Sequence, residues 1–249
     1  MQAQTDRHLK NNRVSVFMRR LGMHELRIWV VVLLVVSGIW LFAELAGEMI
    51  EGDTRAFDEA LITAMRNPHD LSDPVGPKWL EEFGRDVTAL GGVGILTMLT
   101  LAVAGFLILQ NKTRTAIFIV AAVAGGLLLS NLLKSSFDRP RPDLVPHGTV
   151  VYTSSFPSGH SAMSAVTYLT LGALLARVQR RRRVKAYLIV LALLITVAVG
   201  TSRVYLGVHW PTDVLAGWTL GVSWALACWL VARWLQRRGT VDEDPDEEA

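Results

Sequence analysis

Six long apolar runs, at residues 28–46, 87–109, 115–133, 161–178, 186–202 and 211–235, dominate this sequence. A helix that crosses a bilayer needs about 20 mostly apolar residues. The fold class expected is therefore an all-α integral membrane protein with six transmembrane helices. Composition agrees: 51% of residues are hydrophobic, 19% are charged and the mean hydropathy is +0.34, a mix too apolar for an ordinary soluble domain. No small-residue cleavage site follows the first run, so it reads as a retained span rather than a signal peptide.

Lys and Arg set the orientation. Arg7, Lys10, Arg13, Arg19, Arg20 and Arg27 precede the first run, and Lys112 and Arg114 separate the second from the third. "RVQRRRRVK" separates the fourth from the fifth, and Arg237 and Arg238 follow the sixth. If six helices alternate, all four regions share one side, which is then cytoplasmic. The expected organisation is a basic N-terminal segment at 1–27, a six-helix domain at 28–235 and a solvated acidic tail at 236–249. A cytoplasmic membrane of a bacterium suits this pattern. The net charge of +3 gives no support to a nucleic-acid partner. The single cysteine, Cys228, lies in an apolar run and reads as a small buried hydrophobe.

Segment 47–86 falls on the opposite side and is rich in Asp and Glu. "TRAFDEALITAMR" places Phe57, Ala60, Leu61, Ala64 and Met65 on one helical face, and "PKWLEEF" groups Trp79, Leu80 and Phe83. Both read as short amphipathic interfacial helices, either packed on the bundle or guiding a lipid headgroup.

Polar residues converge at the non-cytoplasmic helix ends. Lys134 closes the third run, Ser158, Gly159 and His160 open the fourth, Ser202 and Arg203 close the fifth, and His209 and Asp213 open the sixth. Ionisable groups at membrane depth are costly and normally face a bundle interior or a wet cavity. Three cations, Lys134, Arg141 and Arg203, call for a multiply charged anion, and phosphate fits best: Arg offers a planar fork and Lys a point charge. The helix start at Pro157, Ser158 and Gly159 adds backbone N–H donors and a hydroxyl. His209 and Asp213, four residues apart, face the same way over one helical turn. A carboxylate on one imidazole nitrogen leaves the other free to attack, which makes His209 the candidate nucleophile through a phospho-histidine. His160 is then the general acid for the leaving alkoxide. The arrangement needs no metal and no cofactor. Each piece alone has a plainer reading: "PSGH" as a helix cap, "DRPRPD" as a stiff loop, a lone His or Arg as an interfacial anchor.

These residues also resemble a known family. Lys134 followed after six residues by Arg141-Pro142, then Pro157-Ser158-Gly159-His160, then Ser202-Arg203 with His209 and Asp213, are similar to the three motifs of the type-2 phosphatidic acid phosphatase superfamily, in its order. The resemblance implies a metal-independent membrane lipid phosphatase with its site facing away from the cytoplasm. Its substrate would be a lipid phosphate of the phosphatidic acid, phosphatidylglycerol phosphate, undecaprenyl pyrophosphate or lipid A type. It implies the same roles: Lys134, Arg141, Ser158, Gly159 and Arg203 on phosphate, with His209, Asp213 and His160 catalytic. Arg139, outside the motif spacing, reads as an auxiliary phosphate contact. A phosphotransferase using the same intermediate and a non-catalytic lipid-phosphate binding or transport protein remain as alternatives. The related vanadate-binding haloperoxidases are soluble, which six spans disfavour. Membrane lipids are the expected surroundings, and oligomeric state is open.

Overall fold

The computed structural model describes residues 2–144, 153–177 and 179–238, with side chains from residue 25 onward. The acidic stretch 239–249 and the side chains of the basic residues before Glu25 lie outside the described residues. The order of elements is α1 (Gln2–Glu51), α2 (Arg55–Ala64), β1 (Arg66–Asn67), β2 (Asp70–Pro74), α3 (Lys78–Ala89), α4 (Val93–Leu109), α5 (Thr113–Ser136), α6 (Gly159–Arg177), α7 (Arg182–Tyr205) and α8 (Pro211–Arg237).

Among the described residues, four helices are long and apolar enough to cross a membrane: Glu25–Glu51 of α1, α5, α7 and α8. A fifth is added if α3 and α4, bent by 50° at their junction, form one span. The run at 87–109 was expected as one helix; it is broken at the Gly91-Gly92 pair, where α4 begins with Gly92 extended at φ −70°, ψ 139°. Gly91 also lies against α7, where a β-carbon would come 2.4 Å from Val199.

The fourth expected span, α6, falls short of the same test because its surface is partly polar. Ser161, Ser164 and Thr167 on it are fully buried. It sits at the centre, packed against α4, α5, α7 and α8, so neighbouring helices rather than lipid surround much of it. α8 reaches α6 through Gly217 and Gly221, one turn apart. A β-carbon at Gly217 would lie 2.6 Å from the Ser158 carbonyl oxygen, and one at Gly221 would lie 2.4 Å from that of Ala162. Small residues at this spacing let two helix backbones touch.

Segment 47–86 contains both expected helices, and also a two-residue-by-five-residue antiparallel hairpin, β1–β2, that the apolar pattern does not announce. The face of α2 that packs inward is not the apolar one: Asp58 and Ile62 are buried, while Phe57 is 50% and Leu61 37% exposed. Arg66 ties the hairpin to the end of α7 through a 2.8 Å bond to the Tyr205 carbonyl. The Tyr205 hydroxyl donates in turn to the Val75 carbonyl at 3.0 Å.

Candidate active site

The turn from α7 to α8 delivers the reactive pair. Gly207, at φ +69°, takes the left-handed conformation that ends α7, and Val208 N–H returns to the Arg203 carbonyl at 3.1 Å. Pro211 then occupies the first turn of α8, where its missing N–H costs nothing. Asp213, in that same turn, accepts the Trp210 backbone N–H at 2.9 Å, an acidic N-terminal cap.

His209 is 1% exposed and Asp213 is fully buried. Nδ1 of His209 lies 3.3 Å from Oδ2 of Asp213, while Nε2 on the other edge lies 3.3 Å from Nη1 of Arg141. With the Nδ1 proton directed at the carboxylate, the Nε2 lone pair faces the cationic side of the site. Burial pushes the His209 imidazole down to about 4, against the opposing pull of Asp213.

Asp213 is held from several directions. The Ser155 hydroxyl donates to Oδ2, and the Arg139 guanidinium donates to Oδ1 at 2.6 Å. Ser158 N–H donates to the Asp213 backbone carbonyl at 2.9 Å, joining the start of α6 to the start of α8. Arg139, read from the sequence as an auxiliary phosphate contact, is engaged by protein oxygens. Its Nη1 engages Asp213 and the Thr212 hydroxyl (2.8 Å), and its Nη2 engages Asp58 at 2.6 Å and Thr54 at 3.2 Å. Both ends of its fork therefore lie on protein oxygens, and its side chain is only 10% exposed. Asp58 also accepts the Thr212 N–H at 2.9 Å and the Thr212 hydroxyl at 2.7 Å. So α2 is tied into the first turn of α8.

The other three cations are arranged differently. Arg141 Nη1 donates to the Val208 carbonyl at 2.6 Å, and its Nε to the Thr153 carbonyl at 3.3 Å. Arg203 donates from Nη1 to the Thr88 hydroxyl at 3.0 Å, while its buried Nε has no hydrogen-bond partner among the described residues. Lys134, at the end of α5, is close enough to feel the charges of Arg141, Arg203 and Asp213. His160 in turn feels Arg203, His209, Lys134 and Arg141. Among the described residues none of these three cations has a carboxylate within ion-pair distance. All the residues singled out in the sequence thus gather at one end of the bundle. Ser158 is fully buried, its Oγ accepting from the Ser161 hydroxyl at 2.9 Å. Beside it, a β-carbon at Gly159 would meet nothing nearer than Ser130 Oγ at 4.0 Å.

Sequence reasoning missed Ser155, Asp58, Thr54, Thr88 and Thr212. Asp58 carried a faint signal, an acid one turn before the apolar Ile62 and so on the same stripe of α2. Ser155 and the threonines carried none, since hydroxyl residues are common in loops and at helix ends.

The family model of the PAP2 superfamily matches residues 115–237. Phosphatidylglycerophosphatase B of Bacillus subtilis (strain 168) is 33% identical over 193 residues, covering 75% of this chain and 89% of that protein. An undecaprenyl-diphosphatase of Sulfolobus acidocaldarius is 36% identical over 110 residues, covering 43% of this chain and 47% of its own. Among solved structures, a transmembrane PAP2-type phosphatidylglycerolphosphate phosphatase from Bacillus subtilis superposes with a TM-score of 0.70 at 29% identity, covering 82% of this chain and 96% of that one. The shared fold, the span of the match and the residues gathered at the site lead to one conclusion: the chain belongs to the PAP2 superfamily.

Proposed function

We propose that this PAP2 phosphatase hydrolyses a lipid phosphate or diphosphate at the extracytoplasmic face of a membrane through a phospho-histidine on His209. One observation carries the reading: three cations, none with a carboxylate partner among the described residues, cluster with His160 and His209, and one of them, Arg141, meets the Nε2 edge of His209, whose other edge meets a buried carboxylate. Uncompensated buried charge is costly, and a bound phosphate supplies the missing anion. Arg203 Nε, an orphan donor, is then satisfied by a phosphate oxygen.

In this mechanism the Nε2 lone pair attacks phosphorus in line with the lipid oxygen. The P–O bond to the lipid breaks, and the leaving alkoxide takes its proton from His160. Lys134, Arg141 and Arg203, with the Ser158–Gly159 turn, stabilise charge on the equatorial oxygens. Water then attacks the phospho-histidine, His160 takes its proton, inorganic phosphate leaves and Nε2 is free again. Asp213 holds the Nδ1 proton throughout. The bound phosphate is also the negative charge that favours a protonated His160 among three cations. Metal ions have no step in this scheme.

The topology follows the charges. Arg27, Lys112, Arg114, the arginines at 180–183, Arg237 and Arg238 are at the end of the bundle opposite the site, so both termini lie in the cytoplasm. Six spans result when α6 and the bent α3–α4 pair are each counted. Residues 28–235 then form the catalytic domain between a basic N-terminal segment and an acidic tail. α2 and the first turns of α3, with Phe57, Trp79 and Phe83 half or more exposed, lie at the interface beside the site. A relative matched over 193 residues is named for phosphatidylglycerophosphate, so that lipid is the first substrate to test. Purified protein in excess EDTA is expected to release phosphate from one of phosphatidylglycerophosphate, phosphatidic acid, undecaprenyl diphosphate or lipid A. Loss of release on chelation, restored by added metal, would overturn the mechanism.

A further inference from the structure

A cavity of about 590 Å³ opens among α4, α5, α6 and α8, far from the site just described. On α6 it is lined by Thr170, Leu174 and Arg177. Thr170 and Leu174 lie about 15–21 Å along the helix axis from His160, at about 1.5 Å per residue. On α5 it is lined by Thr115 and Ile119 near the start of the helix, whereas Lys134 stands at its end. The cavity is therefore at the opposite end of the bundle and shares no residue with the phosphate site. Its size falls within the roughly 300–1,000 Å³ of pockets that hold small molecules.

Its lining is graded. Val103, Phe106, Ile119, Leu174 and Trp229 make apolar walls. Lys112 and Arg177 stand at the helix ends that border it, and no Asp or Glu is among the described lining residues. The Thr170 hydroxyl, deeper along α6 than Arg177, is buried with no hydrogen-bond partner among the described residues. An unsatisfied buried hydroxyl in a native structure calls for an explanation. An apolar shaft and a cationic mouth match the succession of an acyl chain and a phosphate. Basic pockets between membrane helices on the cytoplasmic side suit anionic headgroups. The wider rim is also basic, with Arg233 stacked on Trp229 at 5.1 Å.

We propose that this cavity is a second lipid site, which takes an acyl chain of one anionic phospholipid with its phosphate at Lys112. It binds a lipid without turning it over and stands apart from the catalytic reading. Phosphatidylglycerol is a suitable probe, because it carries a phosphodiester and no terminal phosphate.

The full-length protein would be taken from nanodiscs of phosphatidylglycerol and phosphatidylcholine of equal chain length, and its retained lipids counted by native mass spectrometry. Saturating inorganic phosphate would occupy the catalytic site. The expected result is one retained phosphatidylglycerol, preferred over phosphatidylcholine. Lys112→Gln should weaken retention about fivefold, as expected for one interfacial cation. Ala173→Phe, which fills the cavity, should abolish it, and both variants should keep phosphate release. Should Ala173→Phe not fold, Lys112→Gln decides alone. Equal retention of the two lipids, or retention unchanged by Lys112→Gln, overturns the proposal. So does displacement by inorganic phosphate, which would put the lipid in the catalytic site.

Discussion

Arg139 and Asp213 are joined by a 2.6 Å ion pair in which the arginine side chain is 10% and the aspartate 0% exposed. The same guanidinium holds Asp58 of α2 at 2.6 Å. The carboxylate that faces His209 is therefore itself positioned by an arginine that a second carboxylate fixes from outside the bundle core. Removing one partner of such a buried pair leaves an uncompensated charge and destabilises by about 3–5 kcal/mol. Arg139→Gln should accordingly lower thermal stability and reduce kcat more than it raises KM. Asp58→Asn, which keeps the shape and a hydrogen-bond acceptor, should do the same more mildly. A large rise in KM with kcat unchanged in Arg139→Gln would instead restore Arg139 as a phosphate contact.

His209→Ala and His160→Ala should both lose nearly all phosphate release while remaining folded by circular dichroism and size exclusion. They should differ in where they stop. Single-turnover reactions with labelled substrate, quenched in alkaline detergent because a phosphorus–nitrogen bond is acid-labile, should trap phosphoprotein in the wild type and none in His209→Ala. General-acid removal costs about 10²–10⁴-fold. Full activity in His209→Ala would end the nucleophile assignment.

Arg203 has a buried donor with no partner among the described residues, so its role should be exercised mainly when phosphate is bound. Removing one preorganised donor from a transition-state site costs about 10²–10³-fold in kcat. Arg203→Ala is expected in that range, and Arg203→Lys should recover only part of it because an ammonium cannot present a planar fork. Inorganic phosphate inhibition should weaken in parallel. A variant that binds phosphate as the wild type does would remove Arg203 from the site.

The pH behaviour of His209 follows from its burial, which lowers its imidazole to about 4. An unfolded histidine titrates near 6.5. His209 should therefore remain neutral, and nucleophilic, throughout the range from about 7 down to about 4. Across that window the unfolded chain binds a proton that the folded one does not, so this group makes folding less favourable as pH falls from about 6.5 to about 4. Histidine-selective nitrogen NMR, with His209→Gln for assignment, would read the titration directly. A midpoint near 6.5 would contradict the buried, neutral imidazole.

Gly217 sets how closely α8 can approach the start of α6, with the Ser158 carbonyl oxygen 2.6 Å from where a β-carbon would stand. Gly217→Val should force the two helices apart, lower thermal stability and remove activity, because Ser158 and Asp213 share a backbone bond across that contact. Gly47→Val, whose β-carbon would meet nothing within 4 Å, is the control and should leave both properties nearly unchanged. Equal tolerance at the two positions would show that the contact has slack.

The six apolar runs and the residues gathered at the site were legible because both depend on local pattern. Length and hydropathy mark a helix suited to lipid, and alternating helices bring polar ends at 134, 158–160, 203 and 209–213 to one side. The break at Gly91-Gly92 was hidden because apolar residues continue on both sides of it. The central helix α6 shows the reverse case. Its serines and threonine at 161, 164 and 167 are buried against protein, and hydropathy alone does not distinguish a helix facing lipid from one facing other helices.

By itself, the sequence determined the membrane character of the chain, the helix ends at which its basic residues lie, and the inventory of phosphate-binding and histidine chemistry. It did so because hydrophobic length, charge placement and residue type act over a few turns of chain. The tertiary structure alone decided that Arg139 meets Asp213 and Asp58, 74 and 81 residues away. Which anion a guanidinium meets is set by what folding brings within hydrogen-bond reach. In "DRPRP" two arginines stand two residues apart, and only the packing of α2 against the first turn of α8 gives Arg139 its carboxylates, while Arg141 has none within ion-pair distance among the described residues.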